Sequence, residues 1–256
     1  MAFQGGGFLE KQKLRRAMRR ASDLASGAHR LNADELERAR QDLQRTRQNL
    51  DKADHAVEWA MAERQAEQPI DGPEQCDWAW RPRPWTHPVA PHGRGAFASP
   101  AAIEQSLTLY HDCPRPELGY RQVTNTRPAS AARYAMGLDV YRFSGAFISL
   151  VIDLPEEAFA GLTLSHFFEV RVDIDLEQEL EIYARLNLQH GPNTEQLVSE
   201  MAVQNGFALA EFDLAYTQIN EKRMEKIWLD LIFEAPRMNR MTIWDLVLTR
   251  APRADV

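Results

Sequence analysis

Three sets of residues in this 256-residue chain have types and spacings suited to chemistry. The first comes from two stretches of alternating polarity. In 180–190, Ile182, Ala184, Leu186 and Leu188 fall on one side, and Tyr183, Arg185, Asn187 and Gln189 fall on the other. In 226–233, Ile227, Leu229, Leu231 and Phe233 alternate with Trp228 and Asp230. Arg185, Asn187 and Asp230 carry planar groups that hydrogen-bond hydroxyls, and Trp228 carries a ring face for stacking. The second set sits in polar stretches at strand ends: His190 and Asn193 within 189–196, and Tyr216 and Asn220 within 213–222. The third is basic. Arg15, Arg16, Arg19 and Arg20 crowd two helical turns, with Phe3, Phe8, Leu9, Leu14 and Met18 as an apolar side. Such a helix suits an anionic membrane surface. Each set also has a plainer reading. A sandwich sheet keeps one wet, polar face, and the arginines could pair with acids of a neighbouring helix.

Catalytic patterns are weaker. Tyr110-His111-Asp112-Cys113 places a thiol near an imidazole, but Pro114 ends the strand and no third orienting group follows. No G-x-S-x-G, H-E-x-x-H, phosphate loop or G-x-G-x-x-G is present. Carboxylate pairs for glycoside hydrolysis cannot be placed across a substrate from the sequence. The two cysteines, Cys76 and Cys113, lack metal-ligand spacing, and no D-x-D-x-D ladder marks a calcium site. No metal and no cofactor is expected. Trp78, Trp80 and Trp85, with Arg81 and Arg83, read either as a cation–π strip or as a strap that buries large rings.

The elements that position these residues fall into three regions. Residues 1–68 are a charged helical arm. Asn32 and Glu35 suggest a capping box, and Leu36, Leu43, Leu50 and Val57 recur every seven residues with small residues between. This predicts a helical hairpin, antiparallel or oligomeric, with self-association through those four side chains. Residues 69–100 are a Pro- and Trp-rich linker or strap. Residues 101–256 switch to period two. Their short strands are separated by Ser144-Gly145, Gly191-Pro192-Asn193 and Asn205-Gly206 rather than by long helices. The fold class expected is a mostly β, antiparallel sandwich of jelly-roll type, preceded by an α-helical, coiled-coil-patterned arm.

Composition bounds the function. The chain is 44% hydrophobic and 26% charged, with net charge −7, so general nucleic-acid binding is not expected. The longest apolar run, Phe147 to Leu154, is far short of a membrane span. No secretory leader is read, which points to a cytoplasmic address, peripheral at the inner membrane face if the basic helix docks there.

Residues 141–154 (Tyr141-Arg142-Phe143-Ser144-Gly145-Ala146-Phe147 through Leu154), 227–233 (Ile227-Trp228-Leu229-Asp230-Leu231-Ile232-Phe233) and 241–248 (Met241-Thr242-Ile243-Trp244-Asp245-Leu246-Val247-Leu248) resemble the galactose-binding-like jelly roll. That is the fold of many carbohydrate-binding modules. The whole chain resembles an uncharacterised alphaproteobacterial family, a domain of unknown function. Asp77-Trp78-Ala79-Trp80-Arg81-Pro82, His111-Asp112-Cys113-Pro114, 187–197 and 211–216 carry that likeness. The family likeness implies no activity, and fold analogy alone supplies none. The resulting expectation is a non-catalytic binding or scaffold protein whose sandwich takes a carbohydrate-bearing ligand or a protein partner. A membrane-surface adaptor and, more weakly, a glycan-active enzyme are the alternatives.

Overall fold

The computed structural model describes residues 7–65, 70, 72, 75–128 and 130–253. It divides into two compact units, Met1–Val57 and Glu58–Val256.

In the first unit α1 (Gly7–Gly27) is joined through a 3-10 turn at Ala28–Arg30 to α2 (Ala33–Gln65), whose last turns belong to the second unit. The capping box forms. Asn32 Oδ1 accepts the Glu35 N–H at 2.9 Å, and Glu35 Oε2 accepts the Asn32 N–H at 3.0 Å. Two of the amides that a helix start leaves orphaned are thereby satisfied. Asn32→Ala should therefore cost about 1 kcal/mol and fray the first turn of α2. Hydrogen exchange at residues 33–36 reads this out, and unchanged protection would contradict the cap. Arg15, Arg16, Arg19, Arg20 and Met18 are exposed on α1. Phe3 and the side chains of Phe8, Leu9 and Leu14 lie outside the described residues, as do Pro69 and Pro73 of the strap. No described helix is long and apolar enough to cross a membrane.

The second unit contains β1 (Trp78–Trp80), a short helix α3 (Arg83–Thr86), β2 (Gly93–Gly95), β3 (Ala101–Glu104), β4 (Leu107–His111), β5 (Leu118–Thr124), β6 (Tyr134–Val140) and β7 (Phe147–Asp153). It continues with β8 (His166–Leu176), β9 (Ile182–His190), β10 (Asn193–Glu200), β11 (Phe207–Asp213), β12 (Met224–Glu234) and β13 (Asn239–Pro252). Sheet A has the order β11-β8-β13-β6-β5-β2, with β1 also paired to β13; sheet B has the order β10-β9-β12-β7-β4-β3. Every named pairing is antiparallel. The chain passes repeatedly from one sheet to the other, as a jelly-roll sandwich requires. Between the sheets lie the inward residues of the alternating strands: Val170 and Val172 of β8, Leu186 and Leu188 of β9, and Leu229 and Leu231 of β12. Each such side chain, fully buried, contributes about 1.5–3 kcal/mol.

One local expectation is corrected. The polar stretch 189–196 is not a loop: Gly191, at φ 58°, and Pro192 make a tight turn, and β10 begins at Asn193 paired with His190. Glycine adopts that φ at no steric cost. The described part of 75–100 is tied to the sandwich. β1 pairs with β13 from Trp78↔Arg250 to Trp80↔Leu248, β2 pairs with β5, and Trp85 of α3 is wholly buried. Buried Gln122 supplies what the prolines lack. Its Oε1 accepts the Val89 N–H at 2.8 Å, and its Nε2 donates to the carbonyls of Pro84 and His87 at 2.7 Å each. Arg171 stands on β8 in sheet A, and Arg185 and Trp228 on β9 and β12 in sheet B, so the strand order keeps them apart.

The strap is also fixed by charge. Arg250, buried, donates from Nε and Nη2 to Asp77 Oδ1 and Oδ2 at 2.9 Å each, and from Nη1 to the carbonyls of Ala158 and Ala160 at 2.9 and 3.0 Å. Burial pulls the Asp77 carboxyl upward, but Arg250 and His166 outweigh it and hold it below the ordinary carboxylate range. A depressed carboxyl stabilises the fold above its unfolded pKa of about 4 and loses that contribution as pH falls through the folded value. Asp77→Ala should thus cost about 2 kcal/mol at pH 7, since it leaves a buried guanidinium half-paired. The gap to the wild type should close as the pH drops below about 4. Urea unfolding at pH 7 and at pH 3 checks both; a gap that widens in acid would contradict the pairing.

Candidate functional site

The outer face of sheet B carries the polar row read from the sequence. The register sets Asp230 beside Arg185 and Trp228 beside Asn187, and Gln196 of β10 flanks Asn187 on the other side. Arg185 Nε and Nη2 reach Asp230 Oδ2 at 2.7 and 2.6 Å. Asn187 Nδ2 donates to the same oxygen at 3.1 Å, and Gln196 Nε2 donates to Asn187 Oδ1 at 2.9 Å. Lys226 pairs with Asp153 at 2.7 Å and lies 5.6 Å from the Trp228 ring centroid. The four sequence candidates thus converge, yet Asn187 and Asp230 are buried within their own network. Arg185 and Trp228 retain partial exposure.

The loop candidates do not form one site. His190 ends β9 on its core-facing side, buried, with Nε2 lacking a hydrogen-bond partner. Asn193 is exposed at the start of β10. Tyr216 is 80% exposed, with the Arg253 guanidinium 5.9 Å from its ring centroid. Asn220 caps a 3-10 turn, its Oδ1 accepting the Lys222 N–H at 3.1 Å.

The outer face of sheet A holds a group that alternation did not reveal. β13 slips register against β8 between Ile243↔Ile174 and Asp245↔Asp173, so Trp244 is an extra residue. This bulge separates inward Ile243 from inward Leu246 by two residues and leaves both Trp244 and Asp245 off the core. Bulges re-aim side chains in this way, often beside functional sites. The β5–β6 connection then folds over the face. Asn125 Nδ2 donates to the Trp244 carbonyl and to Ser130 Oγ at 2.9 Å each, and Asn125 Oδ1 accepts the Arg127 N–H at 2.9 Å. Arg127 is thereby held 4.9 Å from the Trp244 ring centroid. Its Nη1 donates to Asp173, and its Nη2 donates to Asp175 Oδ1 at 2.6 Å. Trp244 Nε1 donates to Asp175 Oδ2 at 2.8 Å, and Arg81 grips Asp245 with two bonds of 2.7 and 2.9 Å.

Of these groups Arg127, Ser130, Asp173 and Asp245 line a cavity of about 470 Å³, together with Arg171, Phe207 and others; Asp175 and Trp244 hold Arg127 from outside its lining. Phe207 follows the Asn205-Gly206 turn, both residues at positive φ (53° and 83°), which sets its ring 53% exposed. The two β8 aspartates are driven apart. Burial raises the Asp173 carboxyl; Arg127 opposes this, and Asp175 and Asp245 add to it. Burial also raises Asp175, but Arg127 and the Trp244 N–H outweigh it and lower that carboxyl. A cleft that combines converging guanidinium and carboxylate groups, a free aromatic ring and a shifted carboxyl can bind a polar, partly apolar ligand. Among the described residues no group of three or more His, Cys, Asp or Glu side chains is placed to hold a metal ion.

Comparison with known proteins places the chain in a family. The family of unknown function DUF6478 matches residues 1–256, and the chain belongs to it. Among curated protein sequences nothing matches. Among solved structures, the family 11 carbohydrate-binding module from Clostridium thermocellum is 10% identical at TM-score 0.39, covering 63% of this chain and 97% of that one. The C-terminal family 22 carbohydrate-binding module of Clostridium thermocellum Xyn10B is 12% identical at TM-score 0.35, covering 63% and 96%. The enzymatically active domain of bacteriophage CBA120 tailspike protein 4 is 7% identical at TM-score 0.39; the match covers 56% of this chain but only 19% of the tailspike chain.

Proposed function

We propose that the sandwich is a binding module that takes a saccharide-bearing ligand in the cleft on the outer face of sheet A. The observation that carries the reading is the Arg127–Asp173 pair, with Arg127 fixed from behind by Asp175, lining one cavity with the exposed Phe207 ring. A sugar presents alternating hydroxyls and an apolar C–H face. Carboxylate and guanidinium groups, already oriented by each other, accept from and donate to the hydroxyls without reordering, and an aromatic ring packs on the C–H face. Asp173, Asp175 and Asp245 are all tied to arginines, which suits hydrogen-bond acceptance and binding rather than turnover. The Arg185–Trp228 face of sheet B is the competing site, favoured by the partial exposure of those two side chains.

A glycan array probed with the full chain tests this, using Arg127→Ala and Phe207→Ala as one pair of variants and Arg185→Ala and Trp228→Ala as the other. Binding lost in the first pair and kept in the second is expected. The reverse pattern would move the site to sheet B. A wild-type chain that binds no glycan would overturn the saccharide reading.

A further inference from the structure

We infer that α2 pairs with the α2 of a second copy of this chain, parallel and in register over residues 36–57. The helix runs 33 residues, about 50 Å, and within the first unit its side chains are exposed except for partial cover at Ala39 and His55. Leu36, Leu43, Leu50 and Val57 form one row at seven-residue spacing, 43%, 46%, 57% and 58% exposed. Leu36 and Leu43 line an open groove together with Ala21, Leu24 and Ala25 of α1, yet the whole row keeps this exposure, and a helix of this composition gains its stability from packing. Ala39, Thr46, Ala53 and Ala60 alternate with the row and let two backbones approach closely.

Charge fixes both the partner and its direction. With Leu36, Leu43, Leu50 and Val57 as the first position of each heptad, the flanking positions on one side are Glu35, Asp42 and Asn49, and on the other Arg40, Arg47 and Asp54. A parallel, in-register pair sets each residue of the first group against the residue five further on in the other copy. Glu35 then meets Arg40, Asp42 meets Arg47 and the Asn49 amide meets the Asp54 carboxylate, each twice by symmetry. An antiparallel pair instead sets like positions together. Centred on the same row, it places Arg47 against Arg47 of the other copy and Arg40 against Asp54 twice, so one repulsive and two attractive pairs stand where the parallel register has four attractive ones. The parallel register is thus the more complementary, as a symmetric homodimer requires. This inference is independent of the saccharide reading.

The test is sedimentation equilibrium on the full chain, paired with an oxidised Leu36→Cys variant. The expected mass is twice 29.3 kDa, falling to 29.3 kDa in Leu43→Asp and in the Arg40→Glu, Arg47→Glu double variant. These are exposed positions of the first unit, so the variants should keep the β-sheet circular dichroism of the second unit and its unfolding midpoint, while helical signal falls as α2 loses its partner. Oxidation of Leu36→Cys should give a disulfide-linked dimer joined through position 36 of both copies, identified by peptide mass, because only the parallel register brings the two positions together. A wild-type mass of 29.3 kDa would overturn the pairing. A dimer without that cross-link, or one unaffected by the double charge reversal, would overturn the parallel register.

Discussion

Trp85→Ala is expected to lower the stability of the sandwich by about 4 kcal/mol and its melting midpoint by about 10 °C. Trp85 has no exposed surface and belongs to the central core, although it lies in a stretch dense in proline. Its Nε1 donates to the Ile243 carbonyl at 3.0 Å, next to the bulged residue Trp244. Removing the indole opens a large cavity and leaves a carbonyl without its partner, and both effects cost stability. Trp85→Phe separates them, keeping most of the packing and losing the hydrogen bond, for about 1–2 kcal/mol. The same variants should loosen the anchorage of 77–89, so proteolytic cleavage there should accelerate in Trp85→Ala. A midpoint lowered by less than about 2 °C would show that the strap is not integral to the core.

Arg127→Ala is expected to weaken glycan binding by about 30- to 100-fold. Arg127 organises the cleft. It bridges Asp173 and Asp175, lies against Trp244, and is itself placed by the Asn125 side chain. Its loss removes a charged hydrogen-bond donor and leaves two adjacent carboxylates repelling each other. A hydrogen bond to a charged group contributes about 1.5–3 kcal/mol, and each 1.4 kcal/mol is tenfold in affinity. Phe207→Ala should cost about tenfold through lost ring contact, with no change in stability because the ring is exposed. Isothermal titration with the tightest glycan from the array reads both. Binding unchanged in Arg127→Ala would remove the cleft as the site.

Much of the fold was legible because alternation is strict where a strand has one wet face. β8 from His166 to Leu176, and the inward rows of β9 and β12, follow directly from the order of apolar and polar residues. So does the helix start at Asn32, where two side-chain bonds within four residues decide the outcome. What was not legible depends on contacts distant in sequence. Residues 69–100 read as linker or strap, because proline removes backbone donors while the tryptophans want burial, and contacts with Gln122 and Arg250, far along the sequence, decide it for the described part. The sheet B row was legible as a row, but not that Asn187 and Asp230 bury each other's polar atoms. The sheet A cleft was least visible. Asp173 and Asp175 alternate with inward Val172 and Ile174, but a bulge at Trp244 and a connection folded back by Asn125 bring Arg127 and Asp245 beside them, and neither feature has a period.

The cleft is tested most directly by following the indole N–H resonances of the six tryptophans while the full, isotope-labelled chain is titrated with an array-positive glycan. The Trp244 N–H, bonded to Asp175 at the edge of the clamp, should shift and saturate with the ligand, while the Trp228 N–H on sheet B stays in place. A saturable shift at Trp228 with Trp244 unmoved would contradict the account and place binding on the opposite sheet.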